Sequence, residues 1–332
     1  MKRIIDISAT LIITSLLVWA CGKIDSVEGS QAIGFSMAMT KADAPAMTDM
    51  PAGSSFTVSA KKSAGSTWDA SGSKYVFKTD DNLQTVTTGD AGSCSYSPLA
   101  YWSSNSVYRF RAVYPIAPDQ VNYSDDLDSD AVISNFMVNA SAASQKDLML
   151  SELVETDIGA TIGTPAPVAL QFHHLLCKVK VTINEDITTP NAGLDEFTIT
   201  GVKLNGLPDR GSYTGTATSG RWDTDGALGL TCVNNTSHTL DEGGAYTDVF
   251  DGLLLIPMTI SNQVNMVLDY KVRHNDSESP KSVVISIPPI IWEAGKVYTY
   301  QLSVSEEYFI KFGKIDVASW GQPQTSGTVI IK

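Results

Sequence analysis

Apolar and polar residues alternate with a period of two along most of the chain. Tyr108, Phe110, Ala112 and Tyr114 fall on one side of a run whose other side carries Val107, Arg109, Arg111 and Val113, as a strand with two unlike faces requires. The same rhythm returns at Phe56-Val58-Ala60, Val179-Val181-Ile183, Phe197-Ile199, Val264-Met266-Leu268-Tyr270 and Tyr298-Tyr300-Leu302-Val304. Between these runs lie clusters such as Asp209-Arg210-Gly211-Ser212 and Asp223-Thr224-Asp225-Gly226, whose residues favour turns. Many short strands with turn signals and no long helical stripe predict an all-β protein of antiparallel sandwiches, and 332 residues call for two of them. The alternation lapses over residues 152–167, where Gly163-Thr164-Pro165-Ala166-Pro167 interrupts pairing before a new apolar strand begins at Val168. This predicts an N-terminal sandwich over 32–160 and a C-terminal one over 161–332.

The first residues carry an address. Lys2 and Arg3 precede an apolar stretch from Ala9 to Ala20, and those twelve residues are too few to span a bilayer. A charged start, a short apolar region and a small residue before Cys21 read as a secretory leader over 1–20. Because Cys21 directly follows the leader, the segment is similar to a bacterial lipoprotein signal, in which the Cys is acylated and becomes the new N-terminus. Ordinary cleavage beside an incidental Cys is the alternative. Residues 21–31 then form a polar tether, and each buried acyl methylene adds about 0.8 kcal/mol of membrane affinity.

Composition narrows the functional classes. The chain is 43% hydrophobic and only 18% charged, too apolar to be disordered, and its net charge of -13 repels phosphate backbones. A nucleic-acid partner is therefore not expected. After Cys21 the remaining cysteines are Cys94, Cys177 and Cys232, an odd set without a paired CxxC, which predicts buried apolar thiols and neither a disulfide framework nor a zinc site.

No constellation reads as catalytic, and no cofactor or metal is expected. Asp126, Asp128 and Asp130 have the alternation of a calcium loop, but Ala131 stands where Gly belongs and Met137 where the bidentate Glu belongs. Ser59 and Lys62 have an S-x-x-K spacing on a predicted strand, whereas that chemistry needs one helical face. His173 and His174 are adjacent on a predicted strand and point to opposite faces, His173 sharing the face of Leu175 and Cys177 as a hydrogen-bonded core residue. His238 and His274 fall in polar segments, as surface loops. Trp68, Tyr101, Trp102, Trp222, Trp292 and Trp320 would suit a sugar-stacking platform if they lined one exposed face, and are otherwise core or strand-end packing.

Several segments together resemble a known family. Tyr96-Ser97-Pro98-Leu99-Ala100-Tyr101-Trp102 followed by Tyr108 to Pro115, then Asp147-Leu148-Met149, Leu170 to Val181, Leu254-Leu255-Ile256-Pro257, Gly295 to Tyr300 and Ile315 to Trp320 occur in the order found in fimbrillins, the subunits of type V pili. The resemblance implies two transthyretin-like sandwiches and export as a surface-exposed outer-membrane lipoprotein. It also implies a cut after Arg or Lys by a trypsin-like surface protease and polymerisation with other pilus subunits by strand exchange.

The residues themselves suit that chemistry. Ile33, Phe35, Met37 and Met39 alternate with Gly34, Ser36, Ala38 and Thr40, giving a strand with one apolar face that ends at Lys41. Residues 42–47 lack strand periodicity, so a protease could reach Lys41 and release the strand; otherwise Ile33–Met39 is simply the first strand and Lys41 a solvated residue. An emptied slot would bind another extended segment by β-augmentation. The tail after Trp320 could supply one through Val329, Ile330 and Ile331, although these are consecutive where the departing strand alternates. The expected role is a structural or adhesive pilus subunit, with a surface-anchored glycan-binding lipoprotein as the alternative.

Overall fold

The computed structural model describes residues 31–37, 50, 52–77, 81–117, 120–185, 194–226, 228–240, 244–274, 277–304, 310–320 and 327–330. Every regular element among them is a β-strand apart from two single 3-10 turns, Asp90–Gly92 and Ala142–Ser144. The all-β expectation holds, in several sheets around two apolar cores.

The first core lies against an eight-stranded sheet whose central strands are Ser106–Tyr114 and Ser55–Ala64. Phe56, Val58 and Ala60 interlock with Tyr108, Phe110 and Ala112 on its inner face, all fully buried as the alternation requires. The outer face is polar but also covered. Arg111, only 3% exposed, makes a buried ion pair at 3.0 Å with Asp125, which also accepts from the Tyr123 hydroxyl and the Leu127 backbone N–H. This network pins the segment around residues 121–128 onto the sheet and holds Leu127 at φ 62°, a left-handed conformation that is strained for leucine. Asp126 caps the neighbouring turn through the N–H groups of Asp128 and Ser129, so the aspartate run is a hydrogen-bonded turn.

The second core is built mainly from residues beyond 174. One five-stranded sheet runs Thr247–Leu255, Cys177–Glu185, Lys296–Val304, Ile310–Ser319, Gly327–Ile330; the facing one centres on Leu194–Leu207 and Asn265–His274. Val179, Val181, Ile183, Phe197, Ile199, Met266, Leu268, Tyr298, Tyr300 and Leu302 fill the space between them.

Two features of the division between halves differ from the alternation pattern. Val168, Leu170 and Phe172, which follow the Gly/Pro break, pack in the first core. Conversely, the second core takes residues of the first half, among them Val113, Ile133, Leu148 and Leu150, before its main run starts at Leu175. In addition, Ala131–Met137 from the first half pairs with Arg210–Gly215 from the second, in a four-stranded sheet completed by Asn122–Ser124 and Gly220–Asp223. Ile133 and Tyr213 face each other across that pairing and are buried in the second core, so the halves are stitched by backbone hydrogen bonds. Arg210 to Ser212 therefore belong to a strand, the turn being confined to Pro208 and Asp209. The other expected turn forms, with Asp225 and Gly226 both at positive φ.

The histidines exchange the roles read from parity. His173 is the more exposed, bonded to Glu152 at 2.8 Å, while His174 turns inward. The strand Phe172–His174 stops at Leu175 and a new one starts at Cys177, so the alternation does not carry through from His173 to Cys177.

Candidate functional site

Ile33 and Phe35 start the described chain inside the first core, 1% and 4% exposed, with Met37 half-buried beside them. Their backbone is held on both sides. On one, Phe35–Met37 runs parallel to Val168–Leu170, and the Val168 N–H donates to the Gly34 carbonyl at 2.8 Å. On the other, Ala32 pairs with Tyr101 and Ser36 with Ser93 in antiparallel bridges; the Ile33 N–H donates to the Ala100 carbonyl at 2.9 Å, and the Trp102 N–H to the Gln31 carbonyl at 3.0 Å. The Tyr96 hydroxyl adds a bond of 2.7 Å to the Ile33 carbonyl. This opening strand thus fills a slot between two other edges and does not merely border a finished sheet.

The apolar face of the strand is shaped to its slot. The Phe35 ring lies 5.4 Å from Tyr96, 5.8 Å edge-on to Phe110 and 6.5 Å from Phe77. At about 1.5–3 kcal/mol for each fully buried large apolar side chain and about half that for Met37, Ile33, Phe35 and Met37 contribute roughly 4–7 kcal/mol through burial alone. Emptying the slot would also strand the hydrogen-bonding groups of both flanking segments.

The other sequence-level sites divide between described and undescribed residues. Cys21, Met39, Lys41 and Ile331 lie outside the described residues. Val329 and Ile330 belong to Gly327–Ile330, an outer strand antiparallel to Ile310–Ser319, with Val329 opposite Ile315 and Ile330 opposite Lys314. The slot and the tail strand therefore belong to different sheets. Sequence reasoning missed the slot walls, Val168–Leu170 and Tyr96–Tyr101. The alternation of Val168, Leu170 and Phe172 was the available signal for the first of these, but it carries no information about which strand it will join.

Cys177 and Cys232 are fully buried and Cys94 half-buried, all three as free thiols. Burial pushes the Cys232 thiol up to about 11 and the Cys177 thiol higher still. No group of three or more His, Cys, Asp or Glu suited to a metal occurs among the described residues.

The aromatic residues do not form one exposed row. Trp102, Trp292 and Trp320 are buried, and Trp68 carries the Arg109 guanidinium over its ring at 4.4 Å. A cleft of about 790 Å³ does open, lined by residues from Phe172 onward, among them His174, Tyr213, Trp222, Glu293, Lys296 and Trp320. In its wall the His174 ring stacks on Trp320 at 3.9 Å and shares a 2.5 Å hydrogen bond with Asp147.

Comparison with solved structures shows the same fold in bacterial surface proteins. A fimbrial protein from Bacteroides vulgatus aligns with a TM-score of 0.66 at 16% identity, over 87% of this chain and 99% of that one. Candidate cell-adhesion proteins from Parabacteroides distasonis and Bacteroides ovatus align with TM-scores of 0.53 and 0.51 at 11% and 15% identity, each over 89% of this chain and 98% of theirs. No protein of curated function matches by sequence. The fimbrillin-like family model matches residues 40–320, from just beyond the slot strand to Trp320 at the end of the second core, and the chain belongs to that family.

Proposed function

We propose that this protein is a structural or adhesive subunit of a cell-surface pilus, exported as a lipoprotein through Cys21 and assembled by exchange of its opening strand. The observation that carries the reading is the placement of Ile33, Phe35 and Met37, at the first of the described strands, seated between two edges in a core. This strand precedes every other described strand, so one cut between Met37 and Met50 would sever its backbone connection to the rest of the described sandwich. Lys41, four residues beyond the last described residue of the strand, is where a trypsin-like protease would make that cut. The slot then takes a strand from a neighbour, whose main chain restores the lost hydrogen bonds and whose side chains refill the core.

The test is limited trypsin digestion of the purified pro-protein, followed by N-terminal sequencing and electrophoresis in SDS without boiling. Cleavage at Lys41 with SDS-resistant ladders is expected. A nicked protein that stays monomeric and keeps its strand would refute the exchange.

One observation favours a second reading, a surface-anchored glycan-binding lipoprotein. The cleft lined by His174 and Trp320 has the size of a small-ligand site and includes the half-buried Trp222, Glu293 and Lys296 in its lining. Retardation of the protein in polysaccharide affinity gels, abolished by Trp222→Ala, would support it; unretarded native protein would remove it.

A further inference from the structure

The seated strand is an imprint of whatever replaces it. We infer that the slot accepts its donor from a different kind of subunit, one whose strand carries an aromatic side chain flanked at two-residue spacing by large aliphatic ones, and that it discriminates against this chain's own tail. The inference rests on the strand-exchange reading above and specifies the partner within it.

Three side-chain positions define the slot. Ile33, Phe35 and Met37 occupy alternate positions of the strand, the two outer ones filled by aliphatic side chains packed in the first core. The middle position is more demanding, because Tyr96, Phe77 and Phe110 surround the Phe35 ring with centroid distances of 5.4, 6.5 and 5.8 Å, a box whose walls meet an aromatic ring at tilted or edge-on angles. Both backbone edges are engaged from Gln31 to Met37, so the occupant must be extended through all three positions, without proline.

The chain's own tail does not match. Residues 321–332 read Gly-Gln-Pro-Gln-Thr-Ser-Gly-Thr-Val-Ile-Ile-Lys and contain no aromatic residue, Leu or Met. A register centred on Val329 offers Gly327, Val329 and Ile331 to the three positions, and one centred on Ile330 offers Thr328, Ile330 and Lys332. The first leaves one outer pocket empty and a ring-sized void in the middle; the second puts a hydroxyl and an ammonium group into apolar pockets. The tail strand is instead seated on Ile310–Ser319, where it needs to satisfy only one edge.

The experiment supplies labelled peptides to the full-length protein while it is cut at Lys41, and reads capture by SDS-resistant retention. One peptide copies residues 31–40, the second is the same with Phe35→Val, and the third copies residues 326–332. A variant with an engineered protease site in place of residues 42–46 provides the cut if trypsin is slow at Lys41. The 31–40 peptide should be captured at least about tenfold more tightly than either of the others, a ratio that corresponds to about 1.4 kcal/mol. Equal capture of the 326–332 peptide would overturn the inference and leave strand exchange standing. A cut protein that retains its own strand and captures none of the three would overturn strand exchange, and the inference with it.

Discussion

Arg111→Met would leave Asp125 as a buried carboxylate without its cation. In the native protein that carboxylate takes two contacts from Arg111 Nη1 at 3.0 and 3.1 Å, one from the Tyr123 hydroxyl at 2.7 Å and one from the Leu127 N–H at 2.7 Å. Removing one member of a buried pair costs about 3–5 kcal/mol, because the charge left behind is desolvated without compensation. The loss should depend on pH. Burial, as the larger influence, already raises the Asp125 carboxyl above its ordinary value of 3.8 in spite of Arg111, and without the cation it rises further. A carboxyl raised in the folded state favours folding fully below its unfolded value, and that contribution disappears as pH climbs through the folded value. Arg111→Met should therefore be severely destabilised at pH 7 and recover part of the loss as pH falls toward 4. Urea unfolding followed by circular dichroism at several pH values measures this. A loss below about 1 kcal/mol at pH 7, or one of unchanged size down to pH 4, would refute the account of Asp125 as a charge held by Arg111.

Lys41→Gln should abolish processing and leave an N-terminus upstream of residue 42 in material sheared from cells, as N-terminal sequencing would show. Cys177 and Cys232 should react with Ellman's reagent only on unfolding, and the half-buried Cys94 should react ahead of them. Stability should fall as pH rises above about 9, because the Cys232 thiol, pushed up to about 11 by burial, and the Tyr213 and Tyr298 hydroxyls, pushed up to about 12 chiefly by burial, ionise earlier in the unfolded chain; urea midpoints between pH 8 and 11 measure the decline. His174→Ala should cost about 1–2 kcal/mol through loss of the ring stack on Trp320 and the hydrogen bond to Asp147, read as a lowered urea midpoint with unchanged slope.

The period of two located the strands and their inner faces, because a sheet with one buried face imposes that period on its sequence. Phe56, Val58 and Ala60, Val179 to Ile183, and Tyr298 to Val304 all lie where alternation puts them. Pairing partners left no such mark. Nothing in Ala131–Met137 announces that it will join Arg210–Gly215, a contact across more than seventy residues that only the closed cores define. Parity failed at His173 because a strand break at Leu175 resets it, and a break costs the sequence only one or two residues. The slot was half legible: Ile33, Phe35 and Met37 gave the filling strand, whereas its walls, Val168–Leu170 and Tyr96–Tyr101, come from distant segments that meet only in the fold.

The stitching of the halves bears on whether a subunit could survive an empty slot. Loss of Ile33, Phe35 and Met37 removes roughly 4–7 kcal/mol of burial, comparable with the lower part of the roughly 5–15 kcal/mol that stabilises a typical domain. The first core would then be near the limit of its stability. The second core shares none of those three residues, and the strand Ala131–Met137 holds the first half to it by pairing with Arg210–Gly215. An emptied subunit should therefore loosen in one half and persist in the other, keeping the slot walls tethered for the incoming strand. Hydrogen exchange read by mass spectrometry on cut protein stripped of its strand should show protection lost in Ser55–Ala64 and Ser106–Tyr114 and kept in Cys177–Glu185 and Lys296–Val304. If all four strands lose protection together, the halves form one cooperative unit, and a vacant intermediate would unfold before a neighbour could fill it.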